Sequence, residues 1–271
     1  MPTGQALSQE IEATPAPRGS CAFWWLGQMG FVLKCGDQVL YVDAFLAAYP
    51  GRRIPPLLQP AEAAHASLIL GTHDHADHID RVVWPDWSHS AARAKFVVPE
   101  ILKKQLSAEL GIPPERMVGL TDLQTGEWNG VKITGIAAAH EFLDRDEPTG
   151  LYPYLGYVIE ANGCTLYHSG DCCVYEGLQA KLSKWKFDVM FLPINGRDAR
   201  RLKMNIIGNM TYQEAADLAG ALKPGLVVPA HFEMFEPNRE DPQLFADYMA
   251  VKYPRQNVLI PRHGERMIIG G

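Results

Sequence analysis

The sequence predicts a single α/β domain, and three observations predict it. Short apolar, β-rich runs alternate along the chain with segments whose apolar residues recur at helical spacing. No short-period repeat, low-complexity tract or domain-separating linker interrupts that rhythm. The 271 residues, 47% of them hydrophobic, are enough to bury a sizeable core.

Residues 1–19 are rich in Pro, Ala, Ser and Glu and are expected to form a disordered or loosely packed tail before the domain at 20–271. Residues 21–26, 31–35 and 38–42 are β-rich runs, punctuated by Gly27 to Gly30 and by Gly36-Asp37 as in a meander of hairpins. Asp43 leaves the meander, and 47–60 is a loop with Pro and Gly that is expected to border a cleft. The apolar run 67–71 reads as a buried strand ended by Gly71. After the polar segment that follows, 79–83 begins a helical stretch that Pro85 interrupts. Residues 96–98 are a strand, and 100–110 a helix with Ile101, Leu102, Leu106 and Leu110 at helical spacing, stopped by Gly111.

Strands at 131–139 and 154–160 flank a long polar loop, and Asn162-Gly163 turns the chain into the next strand. Residues 174–185 are predicted helical, 188–194 a strand, and 195–209 a basic irregular loop. Thr211 with Glu214 three residues on makes a capping box for a helix that runs to Leu222. A strand at 226–230, a helix at 241–251 and a last strand at 257–260 complete the chain.

The polar segment Thr72-His73-Asp74-His75-Ala76-Asp77-His78 organises these elements. It offers three imidazoles and two carboxylates at a strand's carboxyl end, and three of the nine histidines fall here. A merely solvated turn would not gather so scarce a residue. Neutral imidazole and carboxylate are ligands of divalent metals, and five such groups are too many for one tetrahedral ion. Two metals are therefore expected.

The pattern H-x-H-x-D-H resembles the signature of the metallo-β-lactamase superfamily. An upstream acid and a downstream His, Asp and His occur in that family's order as Asp43, His140, Asp171 and His231, each after an apolar run. The resemblance covers roughly residues 20–265 and implies a four-layer αββα sandwich. It implies that His73, His75 and His140 hold one metal, that Asp77, His78 and His231 hold a second, and that Asp171 bridges them. Asp43 would orient a ligand. The carboxylates implied in catalysis are thus Asp77, Asp171 and Asp43.

Trp25-Leu26-Gly27-Gln28-Met29-Gly30-Phe31 and Leu192-Pro193-Ile194-Asn195-Gly196-Arg197 resemble the L-ascorbate-6-phosphate lactonase branch. That implies a hydrolase whose dinuclear site, of manganese, zinc or iron, activates hydroxide to open a small anionic, even phosphorylated, sugar lactone. Arg197, Arg200, Arg201 and Lys203 follow a strand end in an otherwise acidic protein. Such a loop suits an anionic substituent, with Asn195, Arg197 and Arg200 as substrate contacts; its charges pairing with nearby acids is the competing reading. A phosphodiesterase or nuclease of the same superfamily is the alternative, although no accessory-domain insertion is obvious. A diiron redox protein of this fold usually carries Glu at the motif's second His, where this chain has His75.

The net charge of −6 opposes a general nucleic-acid binder. No apolar run approaches a membrane span, and no signal peptide is expected. Five cysteines, an odd number, suggest reduced thiols and a cytoplasmic protein. The expected partner is a small-molecule substrate, and a homo-oligomer is compatible with the sequence. His65, His89 and His263 read as structural or solvated, Cys172 as a small buried residue, and His168 as a possible support for the site.

Overall fold

In the structure, a computed structural model that describes residues 2–270, strand β1 (Ser20–Gly27) is buried at every position. Cys21, Phe23 and Trp25 join one apolar cluster, and Ala22, Trp24 and Leu26 join another. A strand apolar on both faces must be covered on both. One face packs on a second sheet and the other on helices, which is the αββα sandwich.

The first sheet adds β2 (Gly30–Cys35), β3 (Gln38–Val42), β4 (Leu68–Leu70), β5 (Lys95–Pro99) and β6 (Met117–Leu120). The second contains β7 (Thr125–Trp128), β8 (Val131–Ala137), β9 (Leu155–Ala161), β10 (Cys164–His168), β11 (Val189–Pro193) and β12 (Leu226–Ala230). Strand β13 (Arg266–Gly270) returns to the first sheet and pairs with β1. The sheet orders are β13-β1-β2-β3-β4-β5-β6 and β12-β11-β10-β9-β8-β7.

The helices are α1 (Gly4–Ala13), α2 (Trp84–Ser90), α3 (Glu100–Leu110), α4 (Leu178–Leu182), α5 (Ala199–Lys203), α6 (Tyr212–Leu222) and α7 (Pro242–Lys252). Buried residues of α1, α2 and α3 cover the first sheet, and those of α4, α6 and α7 cover the second. The capping box of α6 forms between Thr211 and Glu214, as its sequence predicts.

Strand direction positions the site. Strands β3, β4, β5 and β6 run parallel, as do β10, β11 and β12. Strand β8 is antiparallel to β9, which is antiparallel to β10, so β8 also points with β10. Within each sheet, the segments leaving these strands therefore emerge at one edge. Asp43 follows β3, the His/Asp loop follows β4, His140 follows β8, Asp171 follows β10, and His231 follows β12.

Several expectations are corrected. The tail expected at 1–19 instead contains α1, with Leu7 and Ile11 fully buried. Lys34 Nζ donates to the Ile11 and Glu12 carbonyls, which α1 leaves unpaired, and Trp24 Nε1 donates to Glu10 at 3.1 Å. With only two core-facing apolar residues, α1 has little periodic signal; packing stabilises it. Pro85 does not interrupt a helix but sits in the first turn of α2, where its missing N–H has no partner to lose. The helix at 174–185 shrinks to α4. The basic loop contains α5, capped by the Asp198 side chain on Arg201 N. Residues 257–260 form only the bridge Val227↔Val258, and the last strand is β13, because β1 offers an open edge.

The buried face of α1 makes a stability prediction. Leu7→Ala should destabilise the protein by about 2–5 kcal/mol, the range for a buried Leu truncated in place. Urea unfolding followed by tryptophan fluorescence checks it, since Trp24 lies beneath this helix. An unchanged midpoint would mean that α1 does not anchor the chain in solution.

Candidate metal centre

Backbone geometry brings the site together. Asp43 adopts a left-handed φ of 47° just past β3, and its N–H donates to the Leu70 carbonyl at 2.9 Å. The chain thereby turns the carboxylate beneath the His/Asp loop instead of continuing the strand. A tight turn in that loop follows from His78 N and Ile79 N both donating to the His75 carbonyl, at 3.0 and 2.8 Å. Gly170, with φ 59°, lets the next segment come close: a Cβ there would lie 2.8 Å from Thr72 Cβ.

Three overlapping donor groups result. His73, His75 and His140 form one, His73, His78 and Asp171 a second, and Asp77, His78 and His231 a third, each with ligating atoms within 4.8 Å of one another. Asp171 lies between them, with Oδ2 3.2 Å from His231 Nε2 and 3.7 Å from His140 Nε2, and Oδ1 3.4 Å from His78 Nε2. Asp77 Oδ2 is 3.8 Å from both His78 Nε2 and His231 Nε2. The seven donors named from the sequence meet in one place.

Asp43 acts one layer below. Its Oδ1 accepts from Thr72 N at 2.8 Å, and its Oδ2 accepts from Thr72 Oγ1 at 2.7 Å and from His78 Nδ1 at 2.7 Å. A carboxylate held by these donors only accepts, so His78 Nδ1 carries a hydrogen and Nε2 is the ring nitrogen turned to the cluster. Neither His78 Nε2 nor Asp171 Oδ1 makes a hydrogen bond, although both are buried. Orphaned buried donors and acceptors are costly, and a divalent cation between them would satisfy both. The donor set of imidazoles and carboxylates suits manganese, zinc or iron.

The electrostatics agree with a cation site. Burial holds His73 and His75 below the ordinary imidazole range and pushes His140 down to about 4, so all three are neutral ligands near pH 7. Burial opposes charge on His78 and His231 too, but the Asp171, Asp43 and Asp77 carboxylates around His78, and Asp171 and Asp77 around His231, outweigh it and raise both. Asp171 resists burial through His231 and His78, which hold its carboxyl well below the usual range. In the metal-free site these two rings therefore hold a proton more tightly than an ordinary imidazole.

Four contributors escape the sequence. Thr72 links Asp43 to the loop. The buried Asp80 accepts from Leu46 N at 2.9 Å and Ala47 N at 2.7 Å, joining the segment after β3 to the His/Asp loop. Gln28, fully buried with φ 50°, donates from Nε2 to Asp77 Oδ2 at 3.1 Å. Tyr154 packs its ring 5.5 Å from that of His73 and 5.4 Å from that of His140. Thr72 and Gln28 lie within segments the sequence singles out, but nothing in those segments gave either a role; Asp80 and Tyr154 carry no local signal.

The remaining candidates separate. Asn195 is fully buried, its Oδ1 accepting from Asn209 Nδ2 at 3.1 Å, so it supports the loop instead of reaching the surface. Arg197 forks onto Glu214, at 2.7 and 2.6 Å, which neutralises the expected substrate contact. Arg200 is exposed. His168 donates from Nε2 to the Met29 carbonyl at 2.7 Å and accepts Gly170 N at Nδ1 at 3.2 Å, which makes it a neutral brace between two site-bearing turns. Burial pushes the Cys172 thiol up to about 12, so it is no thiolate ligand. His65 contacts Tyr41 and Glu12, His263 contacts Glu233, and His89 is exposed. All five cysteines are buried and unpaired. No helix among the described residues is long and apolar enough to cross a membrane.

Comparison with known proteins agrees with this geometry. Residues 39–232 match the family model described as the β-lactamase superfamily domain. A UPF0173 metal-dependent hydrolase from Thermoplasma acidophilum is 28% identical over 222 residues, covering 82% of this chain and 87% of the relative. One from Thermococcus onnurineus is 29% identical over 242 residues, covering 89% and 96%. Among solved structures, a metallo hydrolase from Ignicoccus hospitalis superposes with a TM-score of 0.70 at 20% identity, covering 92% of this chain and 98% of that one.

Two predictions follow from the buried charges. Asp43→Asn keeps the shape but cannot hold the His78 tautomer, and should weaken zinc or manganese affinity by about 10–100-fold. Competition with a chromogenic chelator measures it, and unchanged affinity would remove Asp43 from the site. The raised His78 and His231 stabilise the metal-free protein below the ordinary imidazole value of 6.5, and that contribution fades as pH rises through their raised values. Metal uptake at neutral pH should therefore release protons and tighten with rising pH. Calorimetry in two buffers of different ionisation enthalpy reads the release, and none would contradict these protonation states.

Proposed function

The chain belongs to the β-lactamase superfamily domain family, and within it we propose a dinuclear metal-dependent hydrolase that cleaves a neutral ester, a lactone in particular. That it is a metal-dependent hydrolase of the metallo-β-lactamase superfamily rests on the family match and the relatives. The dinuclear centre and the ester substrate are our reading. The observation that carries the centre is the set of three donor groups that overlap through buried His73 and His78, with buried Asp171 in the middle group.

In this reading His73, His75 and His140 would hold one cation, Asp77, His78 and His231 the other, and Asp171 would contribute to both. When bound, such cations would supply a water acidic enough to attack near neutral pH and positive charge opposite the oxygen that becomes negative. The protein's part is to fix the donors and exclude bulk water. Asp43 and Thr72 hold His78, Gln28 steadies Asp77, and the buried ligands leave Asp77 as the partly exposed carboxylate. Asp77, partly exposed and steadied by Gln28, would be placed to take the proton of the attacking water and return it to the leaving oxygen.

An ester carbonyl is favoured over a phosphodiester by the charges near Asp77. Of the two arginines expected to grip an anion, Arg197 is neutralised by Glu214 and Arg200 is exposed, while the neighbouring Arg201 pairs with Asp198 and Glu240. An anionic or phosphorylated sugar lactone consequently loses one of its two expected guanidinium contacts.

His75→Ala and Asp171→Ala should each lower bound metal from about two ions per chain and reduce ester hydrolysis by more than about 100-fold, beyond the effect of a merely supporting residue. Elemental analysis beside a lactone assay reads both quantities. Full metal content and activity in the two variants would refute the assignment.

A further inference from the structure

We propose that the non-reacting part of the substrate is a neutral, aromatic-sized apolar group seated in a cavity beside Asp77. The proposal rests on the ester-hydrolase reading above and names its substrate class. The cavity holds about 450 Å³ and opens onto Ala76 and Asp77 of the His/Asp loop. Its walls come from Phe45, Tyr49, Pro50, Ile206, Phe235 and Pro237. A group bound there reaches the donor cluster without crossing bulk solvent, because Asp77 belongs to both.

The walls are built as an aromatic box. Phe45 and Tyr49 meet edge-on at 5.8 Å between centroids, Tyr49 and Phe235 at 5.9 Å, and Phe45 and Phe235 tilt together at 6.4 Å. Arg52 lies 4.8 Å over the Phe45 ring and donates to the Phe45 and Ala47 carbonyls at 2.8 Å, and to the Ile54 carbonyl at 2.6 Å. Its hydrogen bonds hold the Phe45–Tyr49 segment in place instead of offering a charge to a ligand. Close to Ile206 in sequence, Leu202, Met204 and Ile207 are 68%, 42% and 38% exposed.

The lining disfavours the opposite substrate. The charged residues lining the cavity are Asp77 and Glu236. Arg53 and Arg239 both approach Glu236, at 2.8 and 3.5 Å, so that carboxylate is already held by guanidinium groups. An aromatic ring on the substrate meets ring edges and faces, whereas a carboxylate or phosphate would give up hydration against these apolar walls and gain none of those contacts.

The test uses the metal-loaded protein and γ-butyrolactones that carry methyl, phenyl or carboxylate at the γ carbon. The phenyl lactone should exceed the methyl one in kcat/KM by at least about tenfold, mainly through KM, and the carboxylate should fall below both. Phe235→Ala, and the more exposed Tyr49→Ala, should collapse the phenyl-to-methyl ratio toward unity. Binding of a phenyl-substituted cyclopentanone, which cannot be hydrolysed, gives a readout independent of chemistry. If no lactone is cleaved but this ketone binds and either variant weakens it, the cavity assignment stands and the ester reading falls. If the lactones are cleaved with equal phenyl and methyl kinetics, or the carboxylate is preferred, the ester reading stands and this inference is overturned. No ketone binding together with no lactone turnover overturns both.

Discussion

The site depends on one buried carboxylate. Asp43 is fully inaccessible, and an ionised group there is tolerable only if its oxygens are saturated. Thr72 supplies two donors and His78 Nδ1 a third, all within 2.8 Å. Satisfying Asp43 therefore fixes the direction of the His/Asp loop and aims His78 Nε2 at the cluster. The carboxylate needs those donors, and the donors happen to carry the chemistry.

Above it, buried imidazoles and carboxylates sort themselves by environment. Where burial dominates, as at His73, His75 and His140, the ring stays neutral. Where carboxylates crowd in, as at His78 and His231, the ring holds a proton more tightly than an ordinary imidazole. The same fold thus presents ready ligands on one side and exchangeable protons on the other. A cluster this charged is stable in an apolar sandwich because each charge has a near partner or a cation to replace it.

Around the centre, the structure separates charge from the mouth. Of the loop's cations, Arg197 and Arg201 are paired with Glu214, Asp198 and Glu240, which come from beyond the loop as well as within it, while Arg200 is exposed. The cavity beside Asp77 is walled mostly by aromatic and aliphatic residues, with Glu236 and Asn238 at its lining. The basic loop was legible as a composition, but its charge balance was not, because Glu214 and Glu240 reach it only through the packing of α6 and the segment before α7.

The sequence by itself determined the strand–helix rhythm, the capping box at Thr211 and Glu214, the supporting Asp43, and the ordered donors His73, His75, Asp77, His78, His140, Asp171 and His231. These are local signals: periodicity, turn residues, and scarce side chains placed after apolar runs. Tertiary structure alone decided that residues 4–13 form an anchoring helix, since Leu7 and Ile11 have meaning only against a sheet they meet across space. It alone placed Thr72, Asp80, Gln28 and Tyr154 around the cluster, because common residue types carry no signal until their partners are fixed. It likewise built a cavity wall from Phe45, Tyr49, Ile206 and Phe235, which lie far apart along the chain. Side-chain chemistry is written locally, but burial, charge pairing and cavity shape are sums over distant segments, and only the folded chain performs those sums.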